Sequence, residues 1–173
     1  LERIDQSGGL NADPGAVDSA PIIIKNINQD DVLRVHILLF GGGPAIRGKT
    51  QRIFHKHDVS VVVDEIVEWA KEGVSKLGCT PCTLAIGIGR SQFEATSMMI
   101  EAQVYAKHNI QSDIEKEITS RVNDSKVGPL NLGGRHSVLA TFMKVGPQRA
   151  SGVRVVCIRP NCSIEPRIAS IEL

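Results

Sequence analysis

Aromatic side chains are scarce in this sequence: they make up 3% of its 173 residues, as four Phe, one Trp and one Tyr. That leaves no stacking platform for single-stranded nucleic acid, which needs aromatic faces along a basic groove. Charge of one sign is lacking too. The formal net charge is +1, and no run of one sign occurs, so nothing in the electrostatics favours a nucleic acid or an anionic membrane as partner. No apolar run approaches the length of a membrane span. The opening LERIDQSGGLNADPG has no basic-then-apolar leader design, so a cytoplasmic protein is expected. The sequence begins without Met, which fits a processed or excised piece. Residues 1–78 contain no cysteine.

What is present suits a folded domain. Hydrophobic residues make up 42%, near the ordinary globular share, and the length matches one domain with a sizeable core. Residues 1–20 are rich in Gly, Asp, Ser and Asn and read as a loose arm. The β-branched run Pro21–Ile27 predicts a first strand, and Val32–Phe40 a second. The polar turn Asn28–Asp31 between them suggests an antiparallel hairpin. His36, inside the second run, reads as a structural histidine, solvent-facing or hydrogen-bonded, rather than a ligand.

Gly41-Gly42-Gly43 follows. Three glycines can aim backbone N–H groups at an anion, although a flexible connection is the plainer reading. Gly48-Lys49-Thr50 resembles the end of a phosphate loop, but Pro44 breaks the strand–loop–helix context, which excludes a nucleotide triphosphatase. His55 and His57 could pair on a metal, but read more simply as surface loop residues ahead of a helix capped by Asp58 or Ser60.

Ser60–Leu77 is the clearest helix: Val62, Ile66, Trp69, Ala70 and Val74 recur at helical spacing, and Gly78 is placed to end it. Thr83–Ile88 is a short buried strand. Ser91–Ala106 predicts a second helix, with Phe93, Ile100 and Val104 on its apolar face, Glu94, Glu101 and Gln103 outside, and Met98 and Met99 as core fillers. Ser112–Asn123 predicts a third, opened by a Ser112/Glu115 capping box, with Glu117 and Arg121 as a favourable pair. Val127–Arg135 is a second glycine-rich loop. Ser137–Val145, Val153–Ile158 and Ile164–Ile171 complete the strands, Pro160 and Pro166 confining the last to an edge or irregular course. The order ββ-α-β-α-α-βββ predicts an α/β fold, a mixed sheet with packed helices in a single domain.

The chemistry centres on Cys79–Arg90. Gly87-Ile88-Gly89 lacks the third glycine of a dinucleotide fingerprint, since Gln92 stands there. Strand, glycine turn and helix still offer N–H groups to a carboxylate or phosphate, with Arg90 as a bidentate partner. Tight strand–helix packing explains Gly87 and Gly89 equally well. The thiols leave several readings open. Cys79, Cys82, Cys157 and Cys162 could form a four-thiolate zinc site, iron–sulfur ligands or plain buried thiols. A thioredoxin-type site is disfavoured, because the Cys-x-x-Cys precedes a strand rather than opening a helix. Ser137 beside His136 defines no triad, and the carboxylates read as solvated helix faces.

The ordered set of motifs says more than any one of them. VLRVHILLF runs into Gly41-Gly42-Gly43; VVVDEIVEWAKEGV leads to Cys79-Thr80-Pro81; Ile86-Gly87-Ile88-Gly89 opens a helix near Phe93-Glu94. Gly128-Pro129-Leu130-Asn131-Leu132-Gly133-Gly134 is followed by Gly146-Pro147 and a strand reaching Cys157. Over roughly residues 13–167 this order resembles the α-subunit, or N-terminal region, of the iron–sulfur-dependent hydro-lyases, class I fumarase and L(+)-tartrate dehydratase. The resemblance implies a 4Fe-4S cluster held by three cysteines in the complete enzyme, one iron acting as Lewis acid while water leaves a 2-hydroxy dicarboxylic acid. It implies that Cys79 is one metal ligand, that the other two lie upstream of the part represented here, and that Gly87, Gly89 and Arg90 bind the substrate. Arg90 stands where many relatives carry glycine, and Pro44-Ala45-Ile46 replaces the family's usual Ser-Glu-Asn. The general base would come from a β-subunit or C-terminal region. The chain is then the C-terminal portion of such an α-subunit or a shortened relative, oligomeric, and inactive alone. The competing expectation is a non-catalytic binding or assembly module that has kept the fold and lost the cluster.

Overall fold

The computed structural model describes residues 31–41, 43, 47–147, 151–163 and 166–173. The chain divides into two compact units, Leu1–Arg34 with Glu172–Leu173, and Val35–Ile171. In the first, Leu33 and Leu173 exchange both backbone hydrogen bonds and Arg34 pairs with Glu172. The expected strand Pro21–Ile27, its hairpin and the arm 1–20 lie outside the described residues.

The elements, in order, are β1 (Arg34–Leu39), β2 (Lys49–Phe54), α1 (Val59–Ser75), β3 (Cys82–Gly89), α2 (Gln92–Val104), α3 (Asp113–Asp124), a 3-10 turn (Pro129–Asn131), β4 (Val138–Val145), β5 (Val153–Asn161) and β6 (Arg167–Glu172). β1 and β6 form a two-stranded sheet, and the other four strands run in the order β2-β5-β3-β4. β3 and β4 are parallel, while β5 is antiparallel to both β3 and β2. The mixed α/β fold and the element order match the sequence reading, with one change of membership. The second observed strand is β2, at positions where the sequence pattern alone marks a connection.

β3 is buried along its whole length, and its two faces carry different residues because side chains alternate. Cys82, Leu84, Ile86 and Ile88 face α1 and α3, in a core shared with Ile66, Val74, Ile118, Val138, Val156 and Ile158. Each fully buried aliphatic side chain there contributes about 1.5–3 kcal/mol. The other face is made of small residues. Ala85 meets Ala95 and Met99 of α2, together with Val155 and Cys157 of β5.

The helix starts follow the sequence. Asp58 accepts from Ser60 N and caps α1, Ser91 accepts from Glu94 N and caps α2, and the Ser112/Glu115 capping box is complete. Glu115 does more than cap. Its other carboxylate oxygen accepts from Met143 N at 2.7 Å, and Gln111 accepts from Thr141 N at 3.1 Å. Two side chains thus cover donors along β4, the strand at one edge of the four-stranded sheet. At the start of β4, Asn123 Oδ1 accepts from both Ser137 N and Val138 N.

Other expectations are corrected. α1 ends at Ser75 with Lys76 as its cap, and Gly78 is not among the residues with positive φ, so it does not act as a left-handed terminator. Phe93 is 78% exposed rather than on the buried face of α2, while Gln103, placed outside by pattern, is fully buried with Met99 and Ala102. Met98 lies over Gly146, where a Cβ would meet its Cε. His55 is buried, not a surface loop residue. Pro160 falls inside β5, beyond Ile158, where β2 no longer runs alongside; there a missing N–H removes no bond to β2. The reading of His36 as a structural histidine is met: it is hydrogen-bonded to Ser170 at 2.7 Å and lies edge-on to Tyr105.

Candidate functional site

Cys79 sits on the connection between α1 and β3, exposed, one residue ahead of a cis Thr80–Pro81 bond. Three glycine-bearing segments gather around this entrance to β3. Arg47 ties two of them together, donating to Gly43 O and to Lys76 O, both at 2.6 Å. The loop 128–134 docks from the other side through Leu130 N to Leu77 O at 3.0 Å. That loop is folded on itself. Gly128 has φ +64°, and a Cβ there would meet Gly133 O at 2.1 Å, so both its conformation and its neighbour demand glycine. Gly128 N is held by the buried Ser137 hydroxyl at 2.9 Å.

Beneath the loop at Gly41 lies a buried polar cluster on the α2 face of the sheet. Arg159 donates to Gly41 O at 3.1 Å and to Asn161 Oδ1, with Gln103 Oε1 at 3.5 Å. Asn161 in turn donates to Thr83 Oγ1 at 3.2 Å, and the guanidinium stacks 4.5 Å from the Phe40 ring. Placing a guanidinium in the sheet interior is costly unless oxygens surround it, and here they come from strand neighbours and from the glycine segment. The sequence reading missed Arg47 and Arg159. A charged residue interrupting the apolar run of β5 was the available signal for Arg159; Arg47 carried none.

The sequence-predicted substrate residues lie elsewhere. Gly87, Gly89 and Arg90 close the far end of β3, and the seven residue steps from Cys82 to Gly89 span roughly 23 Å at strand rise. A Cβ at Gly87 would lie 1.9 Å from Ala95 O and 2.3 Å from Met99 N, and one at Gly89 2.8 Å from Ala95 N. Close strand–helix packing therefore suffices to explain both glycines. The turn does hold an anion, and it is the chain's own Glu94. Its carboxylate accepts from Arg90 N at 2.5 Å and from the Arg90 guanidinium at 2.8 Å. The Arg90 hydrogen bonds hold the Glu94 carboxyl below its usual range. An incoming carboxylate would compete with Glu94 for these donors.

The thiols separate in the same way. Cys162 directly follows β5, whose last residue Asn161 pairs with Thr83, the neighbour of Cys82. Cys157 pairs with Gly87, five steps or roughly 16 Å further along the sheet, which rules out a four-thiolate zinc site in this fold. Burial pushes the Cys82 thiol up to about 12, with the neighbouring Cys162 adding to the shift, so Cys82 is a neutral thiol near neutral pH rather than a ready ligand. His55 accepts from His57 N through Nδ1, its Nε2 is buried without a hydrogen-bond partner, and the two rings stand 5.8 Å apart. Among the described residues no three His, Cys, Asp or Glu side chains come together as a metal site. These donors do not by themselves fit an iron–sulfur cluster.

Against this geometry, the family model for fumarate hydratase (Fumerase) matches residues 10–172. The chain belongs to the fumarate hydratase family. None of the curated proteins compared with it matches. The family match covers every element of the fold, including the entrance to β3 with its three glycine-bearing segments and the distant Gly87–Arg90 turn. Among the described residues of this fumarate hydratase family chain, no helix is long and apolar enough to cross a membrane.

Proposed function

We propose that this chain is one part of an iron–sulfur hydro-lyase that adds or removes water on a 2-hydroxy dicarboxylic acid of the fumarate/malate or tartrate type. The reading rests on membership of the fumarate hydratase family. The observation that carries its location is the exposed Cys79 at the entrance to β3, where Arg47 and the loop 128–134 bring three glycine-bearing segments together. Cys79 supplies one thiolate to a 4Fe-4S cluster, and the remaining ligands come from outside the residues described. A β-subunit or C-terminal region completes the site and supplies the general base, so the chain is inactive alone. The dicarboxylate binds at the Cys79 end, while the Gly87–Arg90 turn serves strand–helix packing.

Anaerobic reconstitution with iron and sulfide, with and without the completing region, tests this. The expected result is dehydratase activity only in the complete assembly, abolished by Cys79→Ser. Activity of the chain by itself would overturn the part-enzyme reading. A second reading, a binding or assembly module that has lost the cluster, is favoured by the lack of any three-donor group among the described residues. Unchanged activity of the Cys79→Ser assembly would select it.

A further inference from the structure

Cys82 opens β3, and Cys162 stands directly after the last residue of β5. The antiparallel register pairs Thr83 with Asn161 and Leu84 with Pro160; carried one step past these last pairs it would set Cys82 opposite Cys162, and Cys162 lies near enough to act on the Cys82 thiol. The hydrogen bonding indicates which kind of pair this is. Cys82 N donates to Ser137 O at 2.9 Å, toward β4, so it does not bond across to β5. Pro160, two residues before Cys162 and therefore in the same phase, has no N–H to give. Both facts mark a non-hydrogen-bonded pair, the type with Cα atoms about 4.5 Å apart and side chains closest. That spacing lies within the range of about 4.4–6.8 Å that a disulfide spans. Opposite residues on paired strands project to the same face, so both thiols point the same way.

We propose that Cys82 and Cys162 are a redox-responsive thiol pair that closes to a cross-strand disulfide when a low-molecular-weight disulfide is present. Cys162, partly exposed where Cys82 is buried, reacts first. Its thiolate attacks one sulfur of the reagent disulfide, forming a mixed disulfide and releasing one reagent thiolate. Cys82 then loses its proton, its sulfur attacks the Cys162 sulfur, and the second reagent thiol departs. Two protein thiols are oxidised and one reagent disulfide is reduced to two thiols. The raised affinity of Cys82 for its proton makes the second step faster as pH rises. The closed bond ties the end of β5, which carries Arg159 and Asn161, to the strand that Cys79 leads into. Oxidation would therefore stiffen the region where the three glycine-bearing segments meet.

The test is incubation of the reduced chain with oxidised glutathione, followed by denaturation, thiol titration and peptide mass mapping. The expected outcome is a fall from four titratable thiols to two, a mass lower by two hydrogens, and a single linked peptide pair containing Cys82 and Cys162, all reversed by dithiothreitol. The Cys79→Ser variant forms the same link. Cys162→Ser gives no internal disulfide, and since that residue is only partly buried the variant keeps the wild-type circular dichroism. Four thiols surviving, a glutathione adduct persisting on Cys162 at alkaline pH, or a link from Cys79 to Cys82 would each overturn the assignment.

Discussion

Replacing Gly87 with alanine puts the strand–helix contact to the most direct test. The added Cβ would lie 1.9 Å from Ala95 O and 2.3 Å from Met99 N. Both atoms belong to the backbone of α2, so no rotamer change relieves the clash. Restoring an ordinary contact near 3.4 Å requires α2 to retreat by about 1.5 Å, and a gap of that size forfeits more than half of the dispersion well for every atom pair across it. Ala95, Met99, Ala102 and Gln103 are all buried by that contact. Overpacking a core costs about 1–3 kcal/mol when side chains can adjust; with a rigid helix backbone as the obstacle, at least 3 kcal/mol is expected. Gly78→Ala is the control, since its new Cβ meets nothing nearer than 3.9 Å and should change stability by less than about 0.5 kcal/mol. Urea unfolding followed by circular dichroism measures both. A Gly87→Ala chain within about 1 kcal/mol of the parent, with its dichroism intact, would refute the packing account and return Gly87 to the role of a ligand-approach residue.

Three further outcomes are expected. Glu115→Ala removes both the reciprocal half of a helix cap and the acceptor for Met143 N, and should cost about 1.5–4 kcal/mol in urea unfolding, more than a cap alone. Glu94→Gln tests the self-filled anion turn: because the Glu94 carboxyl is held below its usual range by Arg90, its contribution is present above the unfolded value and lost as pH falls through the folded one. Acid unfolding curves of parent and variant should therefore be fully separated above the ordinary glutamate value of about 4.3 and converge only as pH falls further, through the lowered folded value; parallel curves throughout would contradict the pairing. In native alkylation with iodoacetamide at pH 8, exposed Cys79 should be modified before Cys82, whose thiol is pushed up to about 12; peptide mapping that finds Cys82 modified first would contradict its burial.

Signals made by one element alone were legible in the sequence. The apolar stripe of α1, the caps at Asp58 and Ser112 and the buried run of β3 depend on local spacing and local hydrogen bonds, and each stands within two residues of its expected place. Signals that depend on the partner surface were not. α2 buries Ala95, Met99, Ala102 and Gln103 because the sheet face it meets is built from Ala85, Gly87 and Gly89, with Arg159 at its polar end. Small residues leave no apolar stripe, so Phe93 looked like the buried position and Gln103 like the exposed one. β2 failed for a related reason: at the sheet edge only Ile53 is buried, which leaves too little alternation to mark a strand.

The same limit shaped the reading of the site. Cys79 and Gly89 are ten residues apart in the chain, and near neighbours in sequence invite assignment to one site. A strand between them does the opposite, because extended backbone is the most efficient way to separate two points. Helices, glycine-bearing connections and sheet ends bring the more distant Gly43, Leu77 and Leu130 into one neighbourhood instead, through Arg47 and a backbone bond. The two ends of β3 therefore differ in kind. At Gly87–Arg90 the Arg90 amide and part of its guanidinium already bind Glu94, and the space beside Gly87 is taken by the backbone of α2. At Cys79 an exposed thiol stands among backbone segments fixed by neighbouring side chains. An incoming group finds an exposed sulfur there without first dismantling a packed contact.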